Sequence, residues 1–343
     1  MDVFVSGATG RVGGTLATAL QQRGLKVRTI AVPNDPNRAA TEARGVECIT
    51  GSLADVDIVR QAVEGVSSIF HMAAVISFQP TARDLLWDVN VVGTYNVLRA
   101  AAEQARHRKV RMVFASSDQV YPTRFARYRP TDELHPHEPY TFYGMSKVLG
   151  EEMVKFYNRS EANLDISTAV FSHTEAAHEL IDPNGEYSGA AFYVNARVKS
   201  LKASSTHHAG ANSDDQLRKV LDILEPLMGD DEPLLLTYDE NGKPHTQELV
   251  DVRDIVQGLL LIHDKPEAIG ETFNIAPVSP VSLAEFIPYL AEATGRRYVE
   301  AHIPVPLGRT HGSSVKARSI LGFQPQYSLF DMVDEAVGRT KSK

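Results

Sequence analysis

The first thirteen residues, MDVFVSGATGRVG, constrain this chain more than any other stretch. Val3, Phe4 and Val5 make an apolar run suited to a strand buried on both faces. Gly7, Gly10 and Gly13 follow at G-x-x-G-x-x-G spacing, and Leu16, Ala17 and Leu20 then recur at helical intervals. Strand, glycine turn and helix in that order make an anion site. The glycines let the backbone approach a pyrophosphate, and the helix N-terminus turns its free N–H groups and positive dipole end toward it. The first spacing is one residue longer than in the G-x-G-x-x-G dinucleotide fingerprint. A glycine-rich turn that binds nothing is the competing reading, and the flanking strand and helix favour the cofactor.

Alternation continues behind that unit. Val27–Val32 reads as a second strand closed by Pro33-Asn34-Asp35-Pro36, Val46–Thr50 as a third, and Asp55–Glu64 as a helix stopped by Gly65. Ser68–His71 is a fourth strand, Asp88–Gln104 a helix and Val110–Ala115 a fifth strand. Such β-α alternation predicts an α/β fold, a doubly wound parallel sheet of Rossmann type with its ligand at the carboxyl ends of the strands. We expect a dinucleotide-binding domain over 1–170 and a smaller, mainly substrate-binding region over 171–343, with segments around 248–276 returning to the main sheet. Within the second region, 204–215 is polar, 216–227 reads as an amphipathic helix and Phe273–Ala276 as a strand. Leu283–Thr294 reads as a helix with a capping box from Ser282 and Glu285.

Composition removes several classes of function. A net charge of −8, with no basic run beyond Arg106–Arg111, argues against a nucleic-acid partner. Cys48 is the single cysteine, which rules out an internal disulfide and a cysteine-based metal site. His207-His208 lacks an accompanying H-E-x-x-H or comparable ligand spacing, so no metal is expected. No apolar run reaches membrane-spanning length and no signal-like preamble precedes the first strand, which predicts a cytoplasmic protein.

The chemistry concentrates in Tyr143-Gly-Met-Ser-Lys147, which puts a phenol and an amine four residues apart on one helical face. Upstream, Phe114-Ala-Ser-Ser117 ends the fifth strand, where such a sheet presents its active site. An unperturbed tyrosine, with a pKa of about 10, is a poor base at neutral pH. A neighbouring ammonium and a positive nicotinamide ring both stabilise the phenolate. A serine hydroxyl can then hold the substrate oxygen while the tyrosine moves its proton and a nicotinamide takes the hydride.

These pieces resemble the extended short-chain dehydrogenase/reductases of the NAD-dependent epimerase/dehydratase family. The matching segments are VSGATGRVG, GSLAD at 51–55, HMAA at 71–74, NVVGTYNVLRAA at 90–101 and FASSDQVY at 114–121. PYTFYGMSK at 139–147, ELVDVRD at 248–254 and KARSILGFQP at 316–325 complete the series in family order. The resemblance implies Ser117, Tyr143 and Lys147 as the catalytic serine, tyrosine and lysine, with Asp118 in the place of a dehydratase acid. It implies NAD contacts from Gly7, Thr9, Gly10, Arg11, Val12 and Gly13, from Asn34, and from Ser52 and Leu53. Ala73 and Ala74 would lie beneath the nicotinamide ribose, with further contacts from Asn90, Ser116, Tyr143, Lys147, Phe171 and His173. Asp118 has a second and favoured reading as an acceptor for loop N–H groups, Asn90 one as a helix polar group bonded to backbone, and His173 one as a hydrogen-bonded core histidine. A homodimer is implied through the helices after Asn90 and Tyr143, with Ala100, Ala101, Ala105 and Met153 near the seam.

Two departures matter. The second strand ends in Ala31-Val32, with neither the carboxylate that rejects NADP nor the arginine that selects it. Asn34 and Asp35 are then the groups for ribose hydroxyls and Arg38 or Arg11 for a 2′-phosphate, which leaves NAD preferred and NADP open. After the sixth strand, Ala169-Val-Phe-Ser-His-Thr174 replaces the family's R-P-x-x-V-Y-G-P-like segment, so the substrate does not transfer. The leading expectation is oxidation of a sugar or nucleotide-sugar hydroxyl to a keto intermediate, epimerase-like. The alternative is a simple dehydrogenase or reductase of a sugar or other small carbonyl. Gln119 stands where 4,6-dehydratases carry a glutamate base, and an amide does not accept a proton, which weakens dehydration. A non-catalytic dinucleotide sensor has no need of Ser117, Tyr143 and Lys147 together.

Overall fold

The computed structural model describes residues 2–122, 126–185, 188–205, 211–303 and 311–339. Its centre is a seven-stranded sheet. Strands β1 (Asp2–Ser6), β2 (Lys26–Ala31), β3 (Glu47–Thr50), β4 (Ser68–His71), β5 (Val110–Ser117) and β6 (Leu164–Phe171) are joined by Thr272–Ile275. The order across the sheet is Thr272–Ile275, β6, β5, β4, β1, β2, β3, and every neighbouring pair is parallel. The direction of winding reverses at β1, between β4 and β2, and ligands of such sheets bind in the crevice outside the carboxyl ends at that point.

Successive strand residues point to opposite faces, which sorts the core into two layers. Val3 and Val5 of β1 pack with Phe70, Val113 and Phe273 against Leu16, Ala17 and Leu20 of α1 (Arg11–Gln22) and against the helix Val252–Asp264. Phe4, Ile69, Met112 and Phe114 face the other way, onto α3 (Val56–Val63), α5 (Gly93–Ala105) and α6 (Phe142–Ser160). A separate core gathers Phe192, Leu234, Leu236, Phe286, Leu290 and Met332 from the C-terminal half.

Several boundaries differ from expectation. Strand β2 stops at Ala31, because Val32 turns to solvent, and β5 runs on to Ser117, held by pairing with β6 through Ser117 and Phe171. A short helix, α2 (Arg38–Ala43), follows β2; it buries only Thr41 and leaves no apolar periodicity to read. The expected helix 88–104 is two pieces, a wide π-type turn over Trp87–Val92 and α5, and α4 (Arg83–Leu86) leads into them. The helix expected over 216–227 spans Ala211–Leu224 and ends in a 3₁₀ turn, while 206–210, including His207-His208, lie outside the described residues. Leu283–Thr294 is helical, but the Ser282 side chain makes no cap hydrogen bond, so the predicted capping box does not form.

The alanines expected near a dimer seam face inward. Ala100, Ala101 and Ala105 are 1%, 0% and 3% exposed, packed with Met153 into the layer between helices and sheet. The outward side chains of the same two helices are Tyr95 and Phe156, at 45% and 57% exposure. No helix among the described residues is long and apolar enough to cross a membrane.

Candidate active site

The glycine turn is built as an anion cradle. Gly7 has φ +76°, and a Cβ there would lie 2.9 Å from the Ala73 Cα; a Cβ on Gly13 would lie 2.2 Å from the Gly7 carbonyl oxygen. Both positions therefore require glycine, and the turn sits directly on the loop that follows β4. Gly10 caps α1 without a side-chain hydrogen bond, and no acidic residue occupies the first turn. The first-turn N–H groups therefore have no side-chain cap of their own, which fits a dinucleotide pyrophosphate.

Around this turn, the expected cofactor residues take different places. Asn34 adopts φ +65° at the turn after β2, a conformation asparagine tolerates. Asn37, which the sequence did not single out, donates from Nδ2 to the Thr9 carbonyl at 3.1 Å and ties that turn to the glycines. Ser52 Oγ accepts from Ala54 N–H, and Leu53 is buried where a Cβ on Gly93 would come within 2.8 Å of its own Cβ. Ala73 and Ala74 are half-buried in the loop over the end of β4. Asn90 lies in the π-type turn and clasps Val75, accepting from its N–H at 2.8 Å and donating to its carbonyl at 2.9 Å; it also donates to Ser146 Oγ.

Neither candidate arginine for a 2′-phosphate is uncommitted. Arg38 pairs with Glu42 at 2.8 Å and also donates to Thr50 Oγ1 and the Cys48 carbonyl. Arg11 turns away from β2 altogether. Its guanidinium donates to Glu179 at 2.7 Å and to the Thr174 carbonyl at 3.0 Å, and lies 3.4 Å from buried Glu175. It thereby links the glycine turn to β7 (Thr174–Glu175) and the 3₁₀ segment after it.

Tyr143 stands in the first turn of α6, whose N-terminus is capped by Thr141 Oγ1 accepting from Gly144 N–H at 2.9 Å. A Cβ on Gly144 would lie 2.2 Å from the Gln119 carbonyl oxygen, so only glycine lets α6 begin this close to the end of β5. Lys147, one turn on, is buried and donates to the Ala115 carbonyl at 2.9 Å, with Nζ 5.9 Å from the Tyr143 ring centre. Burial draws its amine down to about 8, against an opposing pull from Glu151. Ser116 is buried and donates to Glu151 at 2.5 Å. Ser117 donates to Asp118 Oδ1 at 3.2 Å. Burial raises the Asp118 carboxyl above the usual range, with His173 acting the other way, and Asp118 Oδ2 has no hydrogen-bond partner among the described residues.

One cleft of about 140 Å³ collects these groups: Arg11, Val12, Ser116, Ser117, Asp118, Tyr143, Phe171 and His173 all line it. With Gln119, the wall is completed by Ile76, Phe78, Ser172 and Thr174, and the Phe78 ring meets Tyr143 edge-on at 6.4 Å. Sequence reasoning passed over these, and also Glu248 behind them. Glu248 is buried, accepts from Ser172 Oγ and from Gly312 N–H at 2.8 Å, and is pushed up to about 7 by burial. Only its place in ELVDVRD singled it out, and that motif carries no chemistry by itself. Among the described residues, no group of His, Cys, Asp and Glu could hold a metal ion.

Comparison with known proteins identifies the family. A sterol demethylase protein B of Methylococcus capsulatus is 36% identical over 158 residues, 45% of this chain and 46% of that protein. The chain thus matches about half the length of that relative. A UDP-glucose 4-epimerase of Mycolicibacterium smegmatis is 27% identical over 100% of this chain and 99% of its own. The solved structure of a short-chain dehydrogenase/reductase superfamily protein from Agrobacterium tumefaciens, with bound NAD, superposes with a TM-score of 0.87 at 33% identity, covering 99% of this chain and 97% of that one. The family model of the NAD dependent epimerase/dehydratase family matches residues 3–276, from the first strand through the last strand of the sheet. The chain belongs to that family, as an NAD-dependent enzyme of the extended short-chain dehydrogenase/reductase type.

Proposed function

We propose that this enzyme oxidises a hydroxyl of a sugar or nucleotide sugar to a keto intermediate and returns the hydride in epimerase fashion, using Ser117, Tyr143 and Lys147. The observation that supports it is the meeting of Ser117, Asp118 and Tyr143 in one cleft with Val12 of the glycine turn, over a buried Lys147. Bound NAD supplies the hydride acceptor. Tyr143 takes the substrate hydroxyl proton, and the Lys147 ammonium below it stabilises the phenolate in a site of low dielectric. Ser117 turns its hydroxyl from Asp118 to the substrate oxygen. Asp118, with one oxygen unpartnered, accepts a second hydroxyl of the sugar. The region 171–343 carries substrate recognition, beginning with Ser172, His173 and Thr174 on the wall of the cleft.

A second reading, a dehydrogenase of a small free sugar, draws on the size of the cleft. About 140 Å³ is small beside the roughly 300–1,000 Å³ typical of sites for larger ligands. A screen of nucleotide sugars and free sugars, reading NADH formation and product stereochemistry together, separates the two. Epimerised product without net NADH, from protein that retains NAD through purification, supports the first. Stoichiometric NADH with no epimer would replace it by the second.

A further inference from the structure

Beneath the Ala73–Val75 loop runs a row of buried polar side chains that the proposed chemistry does not use: Ser6 at the end of β1, His71 at the end of β4 and Thr94 in the first turn of α5. They are bonded in series. Ala73 N–H donates to Ser6 Oγ at 3.1 Å, and Ser6 Oγ lies 2.7 Å from His71 Nδ1. His71 Nε2 lies 2.9 Å from Thr94 Oγ1, which donates to the Asn90 carbonyl at 2.6 Å. The carbonyl end decides the direction of the bonds on both sides of His71, and the Ala73 N–H is compatible with it. A backbone N–H can only donate and a carbonyl can only accept. The single hydroxyl proton of Thr94 is therefore spent on Asn90, and His71 Nε2 must bring its own proton to Thr94. Nδ1 is then the bare nitrogen and takes the Ser6 proton. The opposite tautomer would set two lone pairs against each other at Thr94, and an imidazolium would leave the Ser6 proton without this acceptor.

We propose that His71 is a positioning residue for the dinucleotide: as the neutral Nε2–H tautomer it carries a one-way hydrogen-bond chain from the π-type turn to Ala73, and so fixes the loop on which the nicotinamide ribose rests. The ribose contact rests on the function proposed above; the direction of the chain does not. One turn of helix holds both ends of the loop. The Asn90 side chain clasps Val75 directly, and its carbonyl reaches Ala73 through Thr94, His71 and Ser6. The loop has little room to move without cost, because the Gly7 turn is seated against Ala73.

The test begins with nitrogen-15 histidine spectra of the intact protein, with His71→Gln identifying the resonance. The expected spectrum at neutral pH shows Nε2 protonated and Nδ1 bare. Titration of NAD then compares Thr94→Val with Thr94→Ser. The serine keeps the hydroxyl and should bind as wild type. The valine keeps the shape, breaks the chain, and should bind NAD about fivefold more weakly, one hydrogen bond's worth, with a smaller loss of turnover at saturating NAD. A protonated Nδ1, a doubly protonated ring, or wild-type NAD affinity in Thr94→Val would each overturn the proposal. The failures are distinguishable. An Nε2–H ring in a protein that takes no NAD removes the dinucleotide role together with the proposed function, whereas an Nδ1–H ring in an active enzyme removes this proposal alone.

Discussion

Tyr143 and Lys147 are one turn apart, and each carries a separate measurable consequence. Tyr143→Phe removes the proton carrier while leaving the ring that packs against Phe78; turnover should fall by ~10²–10⁴ with NAD affinity intact. Wild-type turnover in that variant would end the mechanism. Lys147 is held at about 8 in the fold, below the 10.5 of an exposed lysine, chiefly by burial. Between those two pH values the unfolded chain binds the extra proton, so this residue makes stability rise with pH across that window. Lys147→Met should abolish turnover and remove that rise, as read by urea unfolding at a series of pH values. Both residues were legible in the sequence because their spacing alone puts them on one helical face. His71, Ser172 and Glu248 were not, since their partners stand 65, 76 and 64 positions away in the chain and no local pattern announces them.

At the level of elements, the alternation of apolar runs and glycine stops made the sheet and its helices readable, and the ends were where reading failed. Trp87–Val92 keeps an ordinary helical composition, so its wider turn has no signature in periodicity; it shows only once Asn90 is seen to clasp Val75. The segment after β2 is the other case. Arg38 looks like a candidate for a 2′-phosphate in the sequence, yet α2 folds it back onto Glu42 and the end of β3. Arg38→Ala should therefore leave the ratio of NAD to NADP affinity unchanged, with NAD preferred in both proteins, by titration of the two cofactors at fixed ionic strength. A collapse of NADP binding in the variant would show that the guanidinium swings out to meet the phosphate.

Across the whole molecule, Glu248 joins the loop after β6 to the segment at Gly312. Burial holds its carboxyl at about 7, above the 4.5 of an exposed glutamate, so between those values the folded state binds the extra proton. The share of stability that this carboxyl contributes should fall as pH rises through that window, by up to about 3 kcal/mol. Glu248→Gln should remove this share, so the change in stability between pH 5 and pH 7.5 should differ between wild type and variant by that amount, as chemical denaturation at the two pH values will read. Assembly is the second prediction at this scale. The homodimer implied by resemblance would bury the exposed Tyr95 and Phe156, so Phe156→Glu should give a monomer by light scattering where the wild type gives a dimer. The alanines could not be told from the seam in sequence, because a face packed on a sheet and a face packed on a partner are equally apolar. The Arg11 guanidinium, finally, bears on timing. It grips the Thr174–Glu179 segment from inside the glycine turn, so on the proposed function the hold on the dinucleotide and the hold on the substrate would be tied by a common link. A dinucleotide that lingers gives a ketone time to take its hydride back, and one that departs early leaves the ketone as product. On the proposed function, the fate of the substrate is then a matter of how long the dinucleotide stays.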